Sequence, residues 1–239
     1  MRIDGFASPG IGAAMHDEVV GLLRAAANGD EVGDALVLPE GQADMAQREP
    51  EDRVSKVFKL HRRPTFAAFI RSADVVPILC ETVGPDVDCF LSQYIFKNPG
   101  AWGQPWHQDS FYFRFEPARP IVGLWLAVTE ATLQNGCLHV LPASHTEAVH
   151  EHVPDARPGA NYGYVEIVDN DMSASTPVLM QPGDLLVFDS HLMHKSTDNE
   201  SDGVRAAMVF HFCPAATIDH VANSPVQDRV AVLRDGVPV

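Results

Sequence analysis

Four positions between residues 107 and 205 combine side chains whose types and spacing could do chemistry. In Trp106-His107-Gln108-Asp109 an imidazole and a carboxylate stand two apart. On an extended strand such positions project to one face. His194 lies in the stretch HLMHKSTDNESDGVR (191–205), directly after an apolar, strand-like run. Two histidines and one carboxylate on one face of an octahedral Fe(II) leave three positions open for a cosubstrate and O2. Arg205 stands eleven residues after His194, and its planar fork of donors suits bidentate pairing with a carboxylate. Ser196 offers a hydroxyl to the same anion. Each signal is weak alone: an HxD pair is common by chance, and a single arginine in an acidic chain reads as a rim salt bridge. Together they point to a metal with an anionic cosubstrate. His191 lies in the same turn as His194 and competes for the ligand role. The spacings to Ser196 and Arg205 favour His194.

The segments that must carry these residues read as short strands. Runs 88–96, 121–128, 137–141, 184–189 and 206–212 are apolar, rich in Val, Phe and Leu, and separated by Pro, Gly and Asn. Many short strands between regular turns suggest a sandwich or barrel. Gln134-Asn135-Gly136 reads as a tight hairpin turn, and Gln181-Pro182-Gly183-Asp184 as a second turn. Strand parity from Arg205 places Ala207, Val209 and His211 inside and Ala206, Met208, Phe210 and Phe212 outside. On run 121–128 the Trp125 face carries Gly123 and Ala127, small neighbours that leave room for a ligand. Upstream, residues 13–27 have helical apolar spacing and two short helices follow Pro64 and residue 72. The acidic stretch 30–52 reads as a surface loop, and the polar stretch 143–176 as an insertion over one end of the barrel. The expected arrangement is one domain over 1–239, with a helical part at about 1–85 and a β core at about 86–215.

Composition narrows the function classes. The chain has 239 residues, 17 Lys+Arg against 32 Asp+Glu and a net charge of −15. Its long-range field repels phosphate, which disfavours nucleic acid and anionic membranes as partners. No apolar run approaches a membrane span. Cys80, Cys89, Cys137 and Cys213 form no metal-knuckle or disulfide pattern and fit a reducing compartment, so a cytoplasmic protein acting on a small molecule is the expectation. Of 11 histidines, most have no chemical companions.

The joint pattern resembles a known family. WHQD, then NGCLHVLPASH, then HKSTDNES with Arg205 behind it, is similar to the phytanoyl-CoA dioxygenase family of Fe(II)/2-oxoglutarate oxygenases. Within it, SQYIFK, GLWLAV and MHKS resemble the phytanoyl-CoA dioxygenase domain-containing proteins, over roughly residues 54–215. The resemblance implies a mainly β fold with flanking helices, a double-stranded β-helix (jelly roll, cupin-like). It implies His107, Asp109 and His194 as iron ligands, and Ser196 and Arg205 as holders of the distal carboxylate of 2-oxoglutarate. Trp125, Gln93 and Lys56 match cosubstrate-pocket positions. The implied reaction is hydroxylation of a small molecule with O2, releasing succinate and CO2. Related halogenases have a small residue in place of Asp109, so its presence favours oxygen insertion. The family usually has Gly where this chain has Ala143. Two other readings stay open: a cupin-like metalloenzyme that does not use 2-oxoglutarate, and a non-catalytic jelly-roll binding protein.

Overall fold

A computed structural model describes residues 1–41, 49–160, 163–220 and 224–239. In chain order its elements are β1 (Arg2–Ile3), α1 (Pro9–Ala27), β2 (Leu36–Pro39), β3 (Val54–Phe58), α2 (Pro64–Ile70), α3 (Val75–Thr82), β4 (Val87–Lys97), β5 (Phe115–Glu116), β6 (Val122–Ala127), β7 (Leu138–Val140), β8 (His152–Pro154), β9 (Val165–Ile167), β10 (Thr176–Val178), β11 (Leu185–Asp189), β12 (His194–Ser196), β13 (Arg205–Pro214), β14 (Ile218–Asp219), β15 (Val230–Arg234) and β16 (Val237–Pro238). The large antiparallel sheet runs β1-β11-β6-β13-β4-β15-β16, with β3 on β4 and β2 on β3. A small sheet, β10-β7-β12, faces it. The fold is therefore mainly β with three helices, a jelly roll. No helix among the described residues is long and apolar enough to cross a membrane.

Side-chain alternation divides the large sheet. Ala206, Met208, Phe210 and Phe212 of β13 and Val122, Leu124 and Leu126 of β6 join one apolar cluster with Met15, Val19, Leu22 and Leu23 of α1 and Phe66, Phe69 and Ile70 of α2. The helices thus cover the outer face, where an apolar stripe at helical spacing meets an apolar strand face. Ala207, Val209, Trp125 and Ala127 point the other way, into a second cluster with Leu138 and Val178 of the small sheet. The parity read from the sequence holds along β13 and β6.

Several expectations need correction. α1 starts at Pro9, not residue 13; the signal lay in Ser8-Pro9, since Pro suits the first helical position. Stretch 30–52 is not all loop: it holds β2, while residues 42–48 of it lie outside the described residues. Gln134-Asn135-Gly136 does not close a hairpin, because β6 pairs with β11 and β13 whereas β7 pairs with β10 and β12. It crosses between the two sheets instead, and only Gly136 of the three has positive φ (81°). The space beside Trp125 over Gly123 is also filled: a Cβ on Gly123 would lie 2.4 Å from the Phe188 ring. The large sheet reaches beyond 86–215, taking β1, β2 and β3 from before it and β15 and β16 from after it.

Ala143 explains its own oddity. It sits at φ 68°, ψ −7°, in the left-handed region, just before a short 3-10 turn at 144–146. A Cβ there costs roughly 1–2 kcal/mol, which glycine avoids. Ala143→Gly should therefore raise stability, by about 1 kcal/mol after the extra freedom that glycine gives the unfolded chain is subtracted. Urea unfolding of the two proteins checks the sign.

Candidate active site

His107 and His194 face each other across an antiparallel bridge, His107 N to His194 O at 2.9 Å and His194 N to His107 O at 3.0 Å. This pairing brings the rings to 4.1 Å between centroids. Asp109 does not continue as a strand but opens a 3-10 turn over 109–111, so i, i+2 parity alone does not account for its position. One ligand atom from each of His107, Asp109 and His194 lies within 4.8 Å of the others. The Nδ1–H of His107 donates to Pro105 O (2.8 Å) and that of His194 to Leu192 O (2.9 Å). Each Nε2 is thereby left as a bare lone pair toward the centre, the outer-shell arrangement typical of metal-binding histidines. His191 is turned away: its Nδ1 meets Glu147 O at 3.1 Å, and it is no part of the cluster.

Asp109 is held from behind. Its Oδ2 accepts from His211 Nε2 at 2.7 Å, while Oδ1 lies 3.4 Å from His107 Nε2 and 3.8 Å from His194 Nε2. Burial alone would push this carboxyl up, but His194 and His211 outweigh it and hold it well below the usual carboxylate range. Burial, aided by His107, lowers His194 to about 4, so it stays neutral and able to bind a metal at ordinary pH. Gln108 between them is fully buried. Its side chain bonds Ala148 O, His191 O and His150 N, and its own N–H donates to His152 Nε2 at 3.1 Å. These ties anchor the insertion 143–176 to the HxD segment.

Along the floor of the cavity the large sheet lays out rows: Lys97–Arg205, then Lys56–Ile95–Ala207–Ala127, then Phe58–Gln93–Val209–Trp125, then Leu91–His211–Gly123. Arg205 is 2% exposed. One terminal nitrogen donates to Gly136 O at 3.1 Å, whereas Nε and Nη1 are buried with no partner among the described residues. Its guanidinium sits 5.5 Å from the Trp125 ring centroid. Lys97 Nζ donates to Ser196 Oγ at 2.9 Å and to the Thr197 carbonyl. Gln104 N donates to the same Oγ at 3.0 Å. With two donors on its oxygen, the Ser196 hydroxyl has only its own hydrogen left to give. Lys56 is buried, with its ammonium 5.0 Å over the Tyr164 ring. Burial lowers Arg205 to about 10, Lys56 to about 8 and Lys97 well below the ordinary lysine range. All of these residues line one cavity of about 350 Å³ that also contains His107, Asp109 and His194. The two unpartnered nitrogens of Arg205, with Lys56 and Lys97 in the same cavity, define a space for a small anion. A buried donor without a partner is costly, and a carboxylate placed there would remove that cost.

The comparisons with known proteins agree with this geometry. The family model described as phytanoyl-CoA dioxygenase (PhyH) matches residues 1–207. The chain belongs to the phytanoyl-CoA dioxygenase family. It is 34% identical over 176 residues to "Phytanoyl-CoA dioxygenase domain-containing protein 1" of Bos taurus, covering 70% of this chain and 60% of that one. It is 33% identical over 138 residues to "Phytanoyl-CoA dioxygenase, peroxisomal" of Homo sapiens, covering 55% and 41%. The match thus spans less than two thirds of either relative's length. Among solved structures, the fold is similar to EctD from S. alaskensis with 2-oxoglutarate and 5-hydroxyectoine (TM-score 0.65, 19% identity, 90% of this chain and 72% of that one). It is also similar to the non-heme monooxygenase ThoJ (TM-score 0.69, 17% identity, 95% and 76%).

All eight residues singled out from the family resemblance, His107, Asp109, His194, Ser196, Arg205, Trp125, Gln93 and Lys56, line the cavity. Sequence reasoning left others unplaced. Lys97, Arg114 and Arg119 are the basic residues near the HxD segment that could serve a local anion site, and of these Lys97 is 4% exposed and beside Ser196, through its register opposite Arg205. Arg119 does lie outside, on the carbonyls of His145 and Glu147. Gly103 passed unremarked, although a Cβ there would lie 1.9 Å from Ser196 O. His16 is not merely solvated but bonds the Tyr94 hydroxyl at 2.7 Å. His61 lies off the main cavity, bonded to Ser92 Oγ at 2.7 Å. Of the two stretches that could cover the site, both contribute lining residues, Leu38 and Glu40 from 30–52 and Gly163 and Tyr164 from 143–176.

The depressed Lys56 titration has a signed consequence. The unfolded chain holds this proton up to about 10.5 and the folded one only to about 8, so the burial penalty is complete below pH 8. Stability should rise between pH 8 and 10.5, where only the unfolded chain is protonated. Lys56→Met should be more stable than the parent at pH 7.5, with the gap narrowing by pH 9.5 in paired urea titrations.

Proposed function

We propose that this chain is an Fe(II)- and 2-oxoglutarate-dependent dioxygenase that hydroxylates a small-molecule substrate and releases succinate and CO2. The observation that carries this reading is the pairing, in one cavity, of a His-Asp-His cluster with a buried arginine whose Nε and Nη1 have no partner. A facial set of two histidines and a carboxylate suits non-haem iron, which leaves positions for cosubstrate and O2. A fixed guanidinium with a hydroxyl beside it suits the far carboxylate of a dicarboxylate. A metalloenzyme without 2-oxoglutarate would leave those arginine donors buried for nothing.

The chain's own residues then have distinct tasks. His107 and His194 present Nε2 to the metal, each oriented by its Nδ1–H. Asp109 presents Oδ1, because His211 occupies Oδ2. Arg205 and Ser196 grip the distal carboxylate of 2-oxoglutarate, and Lys97 keeps the Ser196 hydroxyl pointed as a donor. Trp125 packs against the Arg205 guanidinium and limits its swing. Lys56 adds positive potential, and Gln93 lies between it and the metal end. Phe188, with its ring 5.3 Å from that of His194, helps keep water from the centre. Iron with O2 and 2-oxoglutarate supplies the oxidising power when bound; the protein orients, shields and neutralises charge.

The test is an anaerobic titration. Fe(II) followed by 2-oxoglutarate should produce a visible metal-to-ligand charge-transfer band, and air should then yield succinate. Fe(II) binding with no band on adding 2-oxoglutarate, and no succinate, would overturn the reading.

A further inference from the structure

The rows of the large sheet separate charge along the cavity. Among the described lining residues the lysine and arginine side chains are Lys56, Lys97 and Arg205, and all three lie in the two rows at the Arg205 end. Beyond the Val209 row the lining turns apolar. Leu91 is buried there, Phe58 is buried at the end of the Val209 row itself, and half-buried Phe113 and Val226 pack against the same cluster. Phe113 reaches the metal end, its ring 5.4 Å from that of His211, the residue bonded to Asp109. The polar groups beside them are Ser224 and Gln227, which flank Val226, and the Tyr112 hydroxyl, buried in the cavity wall near Gln104 and the Val165 backbone without a well-formed hydrogen bond. Two cations near the last strand are paired, Arg62 with Asp228 and Arg229 with Asp88 at 2.8 Å, while Lys59 and Arg114 follow Phe58 and Phe113 in the chain and are not among the lining residues.

We propose that the group oxidised here belongs to an uncharged, mainly hydrocarbon substrate carrying one hydroxyl or carbonyl for Tyr112, and that no coenzyme A moiety contributes to its binding. The inference rests on the dioxygenase reading above and names the substrate class of that same site. An apolar body gains by leaving water against Phe58, Leu91, Phe113 and Val226. A carboxylate or phosphate brought to the same wall would lose its hydration with no lysine or arginine among the described lining residues at that end to replace it. A hydroxyl or carbonyl fits because it satisfies the Tyr112 hydroxyl, which otherwise stays buried and unpaired. Ligand sites generally follow this plan, apolar walls with a few placed polar groups.

The experiment uses the full chain loaded anaerobically with Fe(II) and 2-oxoglutarate. Its charge-transfer band is recorded first, and octan-1-ol, menthol, octanoate, octanoyl-CoA and free coenzyme A are then titrated in turn. Absence of the band sinks the dioxygenase reading itself. With the band present, a neutral alcohol should perturb it at a concentration at least tenfold below that needed for octanoate, and octanoyl-CoA should be no tighter than the better alcohol. Tighter binding of octanoyl-CoA or octanoate than of both alcohols overturns the proposal, and so does failure of both alcohols to bind. Phe113→Asp and Val226→Asp should each weaken alcohol binding at least tenfold while the 2-oxoglutarate titration stays within twofold. Unchanged alcohol binding in both variants would place the substrate elsewhere and also overturn it.

Discussion

Replacing Asp109 with alanine should abolish Fe(II)-dependent turnover of 2-oxoglutarate and leave the fold intact. Asp109 supplies the only carboxylate of the three-residue cluster, and its companions are imidazoles. Without it a dication would be held by two neutral donors, and His211 would keep a buried N–H with no acceptor. Losing even an outer-shell partner weakens a metal site by about 10- to 100-fold, so losing this ligand should weaken Fe(II) binding by at least about a hundredfold. Asp109→Asn separates charge from shape: it preserves a side-chain oxygen but no anion, and should fail nearly as badly. Anaerobic Fe(II) titration and succinate assays measure both effects. Full turnover in Asp109→Ala would remove this residue from the reaction.

Arg205→Met should give two changes of opposite sign. Truncating one partner of a buried, hydrogen-bonded charge pair costs about 2–5 kcal/mol, so KM for 2-oxoglutarate should rise on the order of a hundredfold. In the free protein the same arginine is buried with two unpaired nitrogens and two lysines in the same cavity. An apolar side chain of similar length relieves that cost. The variant's melting temperature without ligand should therefore be equal to or above the parent's, while the rise on adding 2-oxoglutarate disappears. A variant that loses both stability and cosubstrate binding would mean that Arg205 mainly props up β13.

What the sequence made legible was local. Alternation along 121–128 and 206–212 separated the cavity face from the helix-covered face, because period-two patterning survives wherever one face is more crowded than the other. The pairing of HxD with His194 and Arg205 was legible through residue types whose chemistry is scarce. What escaped depended on which strands are neighbours. Lys97 gains its meaning from lying opposite Arg205 in the β4–β13 register. His211 matters only because a 3-10 turn, not a strand, delivers Asp109 to it. Gln134-Asn135-Gly136 has the composition of a hairpin, yet its flanking strands join different sheets, a long-range choice that no dipeptide encodes. Gly123 looked like vacant space because the ring that fills it, Phe188, lies 65 positions away in the sequence numbering.

The enclosed trio of Lys56, Lys97 and Arg205 also bears on how such a protein is handled and how it slows. A small dianion such as malonate would meet the same unpartnered Arg205 nitrogens as the proposed cosubstrate and should compete with it. Succinate, the co-product, keeps the carboxylate that Arg205 and Ser196 grip. On the proposed reaction, the grip that aids loading would also retard unloading, and at low 2-oxoglutarate the spent dicarboxylate would become a brake on turnover.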